Sequence, residues 1–466
     1  MLHVIPQSWP HWHILVSLLP SVGLFFALCL YGVGMYADKD IIKRAYLIAF
    51  GVVALATVPT YLSGDYTMSA LAQNPKISEA TMDSHFNWSV SALFFMAVTG
   101  FVAWLELVRS WHGRPSENAL HLVLGLGLVT LALMMVAGEL GWQISHHELR
   151  INPADQKTSQ LWSHAHIILN HFPTIGFVLA LGVYVGGIVL DNLILKRAGL
   201  VLFVACAILV VPTYVTGNAS MWSVTDPPIQ GISKAVINAH RDMALLALFG
   251  MAFTGVTAWI ELWRFRYLKN FSNVSLYLVL AFAVVTFGIL VETGHRGGQI
   301  NHPEIVLPTD VLPTDPRLGW TPAIELAINQ VTWFVPWQTL HFFGYSLVFG
   351  VALATSLRVL GLWKSMSFAA IHRLLPLGVF GVLMNVFSGM LILQADSSRY
   401  LNAITFVPKI IFLTIGALAV LYYSLSERLW TVKAGEEAPM GAKWVAALVL
   451  VSWTIVIMGG RLLPYL

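Results

Sequence analysis

The chain has 466 residues, of which 57% are hydrophobic and only 11% charged, and its 26 basic and 23 acidic residues give a net charge of +3. A mean hydropathy of +0.73 excludes a soluble domain of this length, and the small net charge without a basic run argues against nucleic-acid binding. No Cys-x-x-Cys-His occurs, which excludes covalently attached c-type haem, and the two cysteines fall inside apolar runs where packing is their expected role.

Apolar stretches separated by short polar breaks predict an all-α, polytopic integral membrane protein with about twelve spans, each near the ~20 residues that cross a bilayer. The spans are placed at 13–36, 44–63, 86–109, 118–141, 164–190, 197–216, 241–264, 274–293, 337–360, 370–394, 404–426 and 443–462. Basic residues concentrate on one side of this topology. The positive-inside rule therefore predicts a multi-pass protein of the bacterial inner membrane with both termini periplasmic. Only three of the 16 histidines, His112, His121 and His372, then lie near the cytoplasm.

The first eight spans form an internal parallel repeat, in which the segment from His13 to Glu148 is echoed from His166 to Glu304. The matched positions are His11-Trp12-His13-Ile14 with His164-Ala165-His166-Ile167, Pro59-Thr60-Tyr61 with Pro212-Thr213-Tyr214, His85 with His240, Ala103-Trp104-Leu105-Glu106 with Ala258-Trp259-Ile260-Glu261, and Gln143-Ile144-Ser145-His146 with Gln299-Ile300-Asn301-His302. Because ionisable groups in or beside lipid are costly, histidines kept at matched depths indicate ligands.

Three four-helix bundles follow from this pattern. The predicted domains are a first membrane repeat at 1–150, a second at 160–305, a proline-rich periplasmic linker at 306–336 and a C-terminal four-helix membrane domain at 337–466. Proline at the density found in the linker cannot continue a helix and stiffens the connection. The C-terminal domain shows no obvious repeat of the first two.

The second repeat carries the richer set of histidines. His171 and His240 are predicted to bind a non-covalent haem b, with His295 and His166 as the next candidates, because neutral imidazoles on facing helices of a bundle are good axial ligands to haem iron. Three glycines around His295 leave room for a flat cofactor; they are Gly294, Gly297 and Gly298. For any one histidine alone, a hydrogen-bonded residue at the membrane interface remains the alternative.

The residues His166-Ile-Ile-Leu-Asn-His171-Phe-Pro173 and Thr293-Gly294-His295-Arg296-Gly297-Gly298, with His240 between them, resemble a family of small four-helix bacterial membrane domains. That family opens on His-Pro-x-x-x-His-Phe-Pro and closes on Thr/Ser-Gly-x-x-Gly-Gly. The resemblance covers the second repeat and implies a b-haem. The chain departs from the family at Ile167, where proline is frequent.

The first repeat departs further, because Leu18 stands in the place of His171 and Glu139 in the place of His295. His85 remains as a candidate ligand. This repeat is therefore predicted to be a degenerate scaffold that binds no cofactor or a different one.

The C-terminal domain has its own pattern. His341-Phe-Phe-Gly344, Leu357-Arg358-Val-Leu-Gly361, His372-Arg-Leu-Leu-Pro376, Gly389-Met-Leu-Ile-Leu and Arg399-Tyr400-Leu-Asn402, followed by Phe406 and Lys409, resemble the copper-resistance D group of four-helix membrane proteins. We predict that His341 binds a metal-containing cofactor in a pocket of the outer half. Lys409 in an apolar run is costly unless paired, so Lys409 or Arg399 is expected to contact a haem propionate, with Asp396 as the alternative partner of Lys409.

Glutamates in the spans either form ion pairs or carry protons. Glu106 and Glu261 each precede an arginine by three residues, a spacing that predicts structural ion pairs on one helix face. Glu292 lies one turn before Arg296, and it either carries protons or pairs with that arginine.

Electron transfer is the leading functional class. The pattern favours a b-type cytochrome-like subunit that works between a periplasmic cytochrome or dehydrogenase subunit and membrane quinone, within a larger complex. A quinone-linked oxidoreductase is the kind of complex expected. Transport of copper or another small solute is the alternative, although the repeats are parallel rather than inverted. A purely structural anchor for periplasmic redox subunits is the third possibility.

Overall fold

The computed structural model describes residues 8–37, 40–71, 77–145, 159–225, 232–302, 306 and 312–463. Within these ranges the chain is built from helices without a strand. The helices are α1 Trp9–Val16, α2 Leu19–Ala37, α3 Asp40–Leu71, α4 Glu79–Arg109, α5 Glu117–Ser145, α6 Ser159–Val189, α7 Leu193–Thr225, α8 Lys234–Leu268, α9 Asn273–Asn301, α10 Trp320–Ile328, α11 Val331–Leu360, α12 Phe368–His372, α13 Leu375–Ala395, α14 Ser397–Asn402, α15 Phe406–Leu425, α16 Glu427–Trp430 and α17 Met440–Leu462.

Among the residues that the structure describes, twelve helices are long and apolar enough to cross a membrane. The prediction of an all-α, polytopic membrane protein is therefore confirmed. The helices mostly extend beyond the apolar stretches that predicted them, since the polar residues that flank a span continue the same helical hydrogen bonding. The first span is interrupted, because α1 ends before Ser17 and α2 begins at Leu19.

The chain divides into two compact units. One comprises Met1–Lys157 with Gly297–Val311, and the other comprises Thr158–Arg296 with Leu312–Leu466. The first repeat belongs to the first unit. The second repeat up to Arg296 and the C-terminal domain lie in the second unit, where buried side chains of both form one apolar core.

Hydrogen bonds between tryptophan and serine join the second repeat to the C-terminal domain inside this second unit. Trp222 of α7 donates to Ser397 of α14 at 3.0 Å, and Trp259 of α8 donates to Ser424 of α15 at 2.9 Å. Such bonds satisfy indole N–H groups that would otherwise be buried without an acceptor.

Close helix crossings recur at matched positions of the two repeats. A Cβ placed on Gly100 of α4 would lie 2.3 Å from the Cβ of Ala54 of α3, and one on Gly255 of α8 would lie 2.3 Å from that of Ala207 of α7. Only glycine permits helix axes to approach this closely. The repeat seen in the sequence is thus also a repeat of packing.

The predicted ion pairs at the opposite ends of these helices are confirmed. Glu106 lies 2.6 Å from Arg109, and Glu261 lies 3.3 Å from Arg264. Each carboxylate also accepts a backbone N–H at the start of the following helix, at 2.7 and 3.1 Å. These acids therefore join consecutive helices of a bundle and have a structural role.

The proline-rich linker is partly helical, which corrects the expectation that it breaks helices throughout. Pro322 is the third residue of α10, where the missing N–H would have no intrahelical partner. Pro336 lies six residues into α11 and removes a single intrahelical bond. Pro303 and Pro308 lie outside the described residues.

Asp242 of α8 holds the start of α10. Its carboxylate accepts the backbone N–H groups of Trp320 and Thr321 at 2.9 and 2.7 Å, and also the Thr321 hydroxyl at 2.7 Å. Gly319, with a φ of 121°, lies so close that a Cβ there would be 2.4 Å from the carboxylate. A carboxylate at a helix N-terminus is favourable because the first N–H groups lack intrahelical acceptors.

Candidate cofactor sites

His13 of α1 is held against α3 by its Nδ1 atom. This nitrogen lies 3.2 Å from the carbonyl oxygen of Thr60 and 3.2 Å from the hydroxyl of Ser63, which itself donates to that carbonyl. Because a carbonyl only accepts, Nδ1 carries the proton and Nε2 keeps a lone pair. Gly64 makes room for the ring, since a Cβ there would lie 2.9 Å from its Cε1 atom.

His85 of α4 is held in the same way against α5. Its Nδ1 donates to the carbonyl oxygen of Ala137 at 2.8 Å, and a Cβ on Gly141 would lie 2.9 Å from its Cε1. His13 and His85 lie close enough to interact electrostatically. The first unit therefore brings two imidazoles together, each with Nδ1 bonded to a backbone carbonyl and Nε2 free of hydrogen bonds among the described residues.

His166 of α6 repeats the arrangement of His13. Its Nδ1 lies 3.1 Å from the carbonyl oxygen of Thr213 and 3.5 Å from the hydroxyl of Thr216, both on α7. A Cβ on Gly217 would lie 2.8 Å from the Cε1 of His166. The residues that anchor the His166 ring thus occupy the repeat positions of those that anchor His13.

His240 of α8 completes the pair of the second repeat. Its Nδ1 donates to the carbonyl oxygen of Thr293 of α9 at 3.0 Å, and it interacts electrostatically with His166. The second repeat therefore pairs His166 with His240, as the first pairs His13 with His85.

A third arrangement of this kind lies in the C-terminal domain, for which the sequence predicted no repeat of the first two domains. The Nδ1 of His341, on α11, lies 3.1 Å from the carbonyl oxygen of Asn385 and 3.1 Å from the hydroxyl of Ser388, both on α13. A Cβ on Gly389 would lie 2.9 Å from the ring. The sequence carries a short signal of this third arrangement, because the segments 60–64, 213–217 and 385–389 read TYLSG, TYVTG and NVFSG.

Lys409 of α15 is the residue that faces His341. The two side chains interact electrostatically, and Lys409 packs on Gly459 and Gly460 of α17, with its Nζ 3.4 Å from a Cβ placed on Gly460. The predicted association of His341 with Lys409 is therefore present in the structure. No ion pair or hydrogen bond to the Lys409 amine occurs among the described residues.

Asp396 does not supply the partner that was considered for Lys409. Its carboxylate accepts the backbone N–H of Arg399 at 3.2 Å and the Ser398 hydroxyl at 3.4 Å, so it caps α14. The reason is local, since an aspartate directly before a helix satisfies backbone donors of the first turn. Arg399 is exposed on α14, and its contact with a propionate stays a prediction.

His171 and His295 do not share this anchoring, although His171 lies close enough to His166 to interact with it electrostatically. His171 has its Nδ1 2.5 Å from the carbonyl oxygen of Ile167 on its own helix, rather than on a neighbouring one. His295 is buried on α9, with a relative exposure of 7%. Glu292, on the same helix as His295, pairs with Arg296 at 2.6 Å. The geometry therefore favours His166 over His171 as the partner of His240, while His146 and His147 of the first repeat lie outside the described residues.

The donor sets fit haem better than a bare metal ion. No group of three or more His, Cys, Asp or Glu side chains suited to a metal is found in the part of the chain that the structure describes, whereas zinc sites need three or four protein ligands. Haem iron takes four nitrogens from its macrocycle and needs only two axial ligands. Ligating histidines commonly donate their other ring N–H to a carbonyl, as all five of these histidines do.

A buried arginine adjoins the pair of the second repeat. Arg241 has a relative exposure of 5%, and its guanidinium donates to the amide oxygens of Asn238, Asn218 and Gln394 at 3.0, 3.0 and 2.7 Å. No carboxylate pairs with Arg241 among the described residues, although the buried Asp242 follows it directly in the chain. The cation that interacts electrostatically with His240 is Arg296, which itself pairs with Glu292.

The chain matches no protein-family model, no curated protein and no solved structure at a significant level. The resemblances to the small four-helix domains and to the copper-resistance D group therefore remain predictions. The function is therefore inferred from the geometry and chemistry of the sites themselves.

Proposed function

We propose that this chain is a membrane b-type cytochrome-like subunit that transfers electrons between a periplasmic redox partner and the quinone pool, within a larger complex of the bacterial inner membrane. The observation that supports this most is the twofold occurrence of a histidine pair, His13 with His85 and His166 with His240, in which all four Nδ1 atoms bond to backbone carbonyls.

The protein residues of each site would position and tune a haem b. The Nε2 atoms of a pair would supply its two axial ligands, and the haem would supply one-electron redox chemistry. The carbonyl bonded to each Nδ1–H fixes the tautomer and the ring plane, and it increases the basicity of the ligand. Gly64, Gly141 and Gly217 keep the neighbouring helices close to the rings.

The position of each histidine pair in its bundle supports a redox partner on the periplasmic side. Both histidines of a pair lie near the beginnings of the first and third spans, which is the end predicted to face the periplasm. A soluble cytochrome or an extrinsic dehydrogenase could reach this end from water. Quinone dissolves in the bilayer and could approach the apolar, lipid-facing helix surfaces from within the membrane.

The proposal is tested with the purified full-length protein. An oxidised and a dithionite-reduced absorption spectrum, with haem b quantified as the pyridine haemochrome, should show bis-imidazole haem. Rapid mixing with a quinol analogue should then reduce it. A double variant, His13→Ala with His166→Ala, should lose the haems of both repeats and the quinol reaction that depends on them.

Two outcomes would count against the proposal. Protein from haem-replete cells that carries no haem would contradict it altogether. A haem-replete complex that reacts with no quinone would contradict the quinone step and leave relay between protein subunits as the better account.

A further inference from the structure

The C-terminal domain repeats the site architecture with one substitution. In each of the three sites, a histidine on the first span bonds through Nδ1 to a carbonyl and a hydroxyl of the second span, beside a glycine. In the first repeat the partner, His85, comes from the third span and packs on Gly141 of the fourth. In the C-terminal domain that partner is Lys409, which packs on Gly460.

The surroundings of Lys409 do not suit a positively charged ammonium group. Its amine has no carboxylate partner among the described residues, and the nearest candidate by sequence, Asp396, caps α14 instead. An ammonium in an apolar bundle without a counter-charge is costly. The uncharged amine, in contrast, is a nitrogen donor with one lone pair, and a bound metal retains it in that form because ligands bind deprotonated.

We propose that His341 and Lys409 are the axial ligands of a third haem, which would therefore have imidazole and amine coordination where the other two have a pair of imidazoles. This inference rests on the proposed function, since it assumes that His13–His85 and His166–His240 hold haem. It replaces the earlier expectation that Lys409 contacts a propionate. Lys409 would hold the iron as the uncharged amine, with its proton passed to water.

Two substitutions of Lys409 separate ligation from charge. Lys409→Arg keeps the positive charge, so it would preserve contact with a propionate, but a guanidinium does not ligate iron. Lys409→His restores the residue type of His85 and His240. Lys364→Arg is the matched control, because Lys364 pairs with Glu437 and lies outside all three sites.

The readouts are haem content per chain and near-infrared magnetic circular dichroism of the ferric protein, whose charge-transfer band depends on the axial ligand pair. The wild type should show bis-imidazole haem together with a minor imidazole–amine species. Lys409→His should convert the minor species to bis-imidazole with unchanged haem content. Lys409→Arg should give a high-spin signal or lose about a third of the haem, and Lys364→Arg should match the wild type.

The outcomes distinguish this inference from the proposed function. If Lys409→Arg leaves the spectrum and the haem content unchanged, Lys409 is a charge partner and the inference is wrong. If wild-type protein holds only bis-imidazole haem, the inference fails while the proposed function stands. If no haem is present, both fail. The bis-imidazole signals of the other sites report in each sample whether the variant is folded.

Discussion

The two repeats share their histidine pairs but differ in what surrounds them. His13–His85 and His166–His240 have the same carbonyl anchors, whereas Leu18 and Glu139 of the first repeat stand where the second has His171 and His295. Those two positions predict that the first repeat is degenerate, and this stays a prediction. They lie outside the contacts that the two repeats share, so they do not alter the anchoring of either histidine pair.

The charged residues around the pair are a second difference. Arg241 and Asp242, both buried, follow His240 in the second repeat, whereas Phe86 and Asn87 follow His85 in the first. A buried cation favours the reduced, less positive state of a neighbouring iron. If both pairs hold haem, the two sites should therefore differ in reduction potential even though their ligands are the same.

The largest effect is expected from replacing the two candidate partners of His240, which are His166 and His171, by alanine. His166→Ala should abolish the haem signal of that repeat, while His171→Ala should retain most of it, because only His166 shares the anchoring of His13. Haem content and the ferric low-spin signal measure this. Loss of haem in His171→Ala with retention in His166→Ala would restore the pair predicted from sequence.

Removal of the buried arginine should have the next largest effect. Arg241→Met leaves the oxygens of Asn238, Asn218 and Gln394 without their donor, so we expect a loss of about 3 kcal/mol in unfolding free energy. The potential of the second-repeat haem should fall by about 1 kcal/mol, on the order of 40 mV. Phe86→Leu is the matched control in the first repeat, and it should move neither potential. Equal potentials in wild-type protein would contradict the assigned role of the charge.

Replacing the glycine beside the histidine ring should reduce haem retention by a similar amount in both repeats. A methyl group on Gly64 or Gly217 would lie 2.9 or 2.8 Å from its histidine ring, so Gly64→Ala and Gly217→Ala should each cost roughly 1–3 kcal/mol through overpacking and lower haem retention. The control is Gly182→Ala on α6, where a Cβ would meet nothing within 4 Å. Haem retention is measured by transfer to apomyoglobin. Unchanged retention in both site variants would show that the rings can move freely.

The smallest effect concerns the hydroxyl acceptors. Ser63 lies 3.2 Å from the Nδ1 of His13 and Thr216 lies 3.5 Å from that of His166, so Ser63→Ala should shift its haem potential more than Thr216→Val. Because a lost acceptor makes the ligand less basic, the shift for Ser63→Ala is upward by roughly 20–40 mV, or about 0.5–1 kcal/mol. Redox titration checks the order, and a larger shift in Thr216→Val would reverse the comparison.

Several features were accessible from the sequence because they depend on side-chain identity along one helix. The spans follow from apolar runs, and the Glu106–Arg109 and Glu261–Arg264 pairs follow from a spacing of three residues. The repeat also placed His85 and His240 at equivalent positions, and the structure gives each the same carbonyl contact. In contrast, the helical course of the linker around Pro322 depended on Asp242, a residue distant in the chain.

The sequence by itself determined that this is a helical membrane protein with an internal repeat, since the cost of burying polar backbone in lipid leaves a chain of this composition few other folds. Only the tertiary structure decided which histidines meet. The decisive contacts join imidazole Nδ1 atoms to carbonyls of Thr60, Thr213 and Asn385 on a different helix, and a backbone carbonyl leaves no mark in residue type. The third site, in which Lys409 takes the place of a histidine, is visible for the same reason only once the helices are packed.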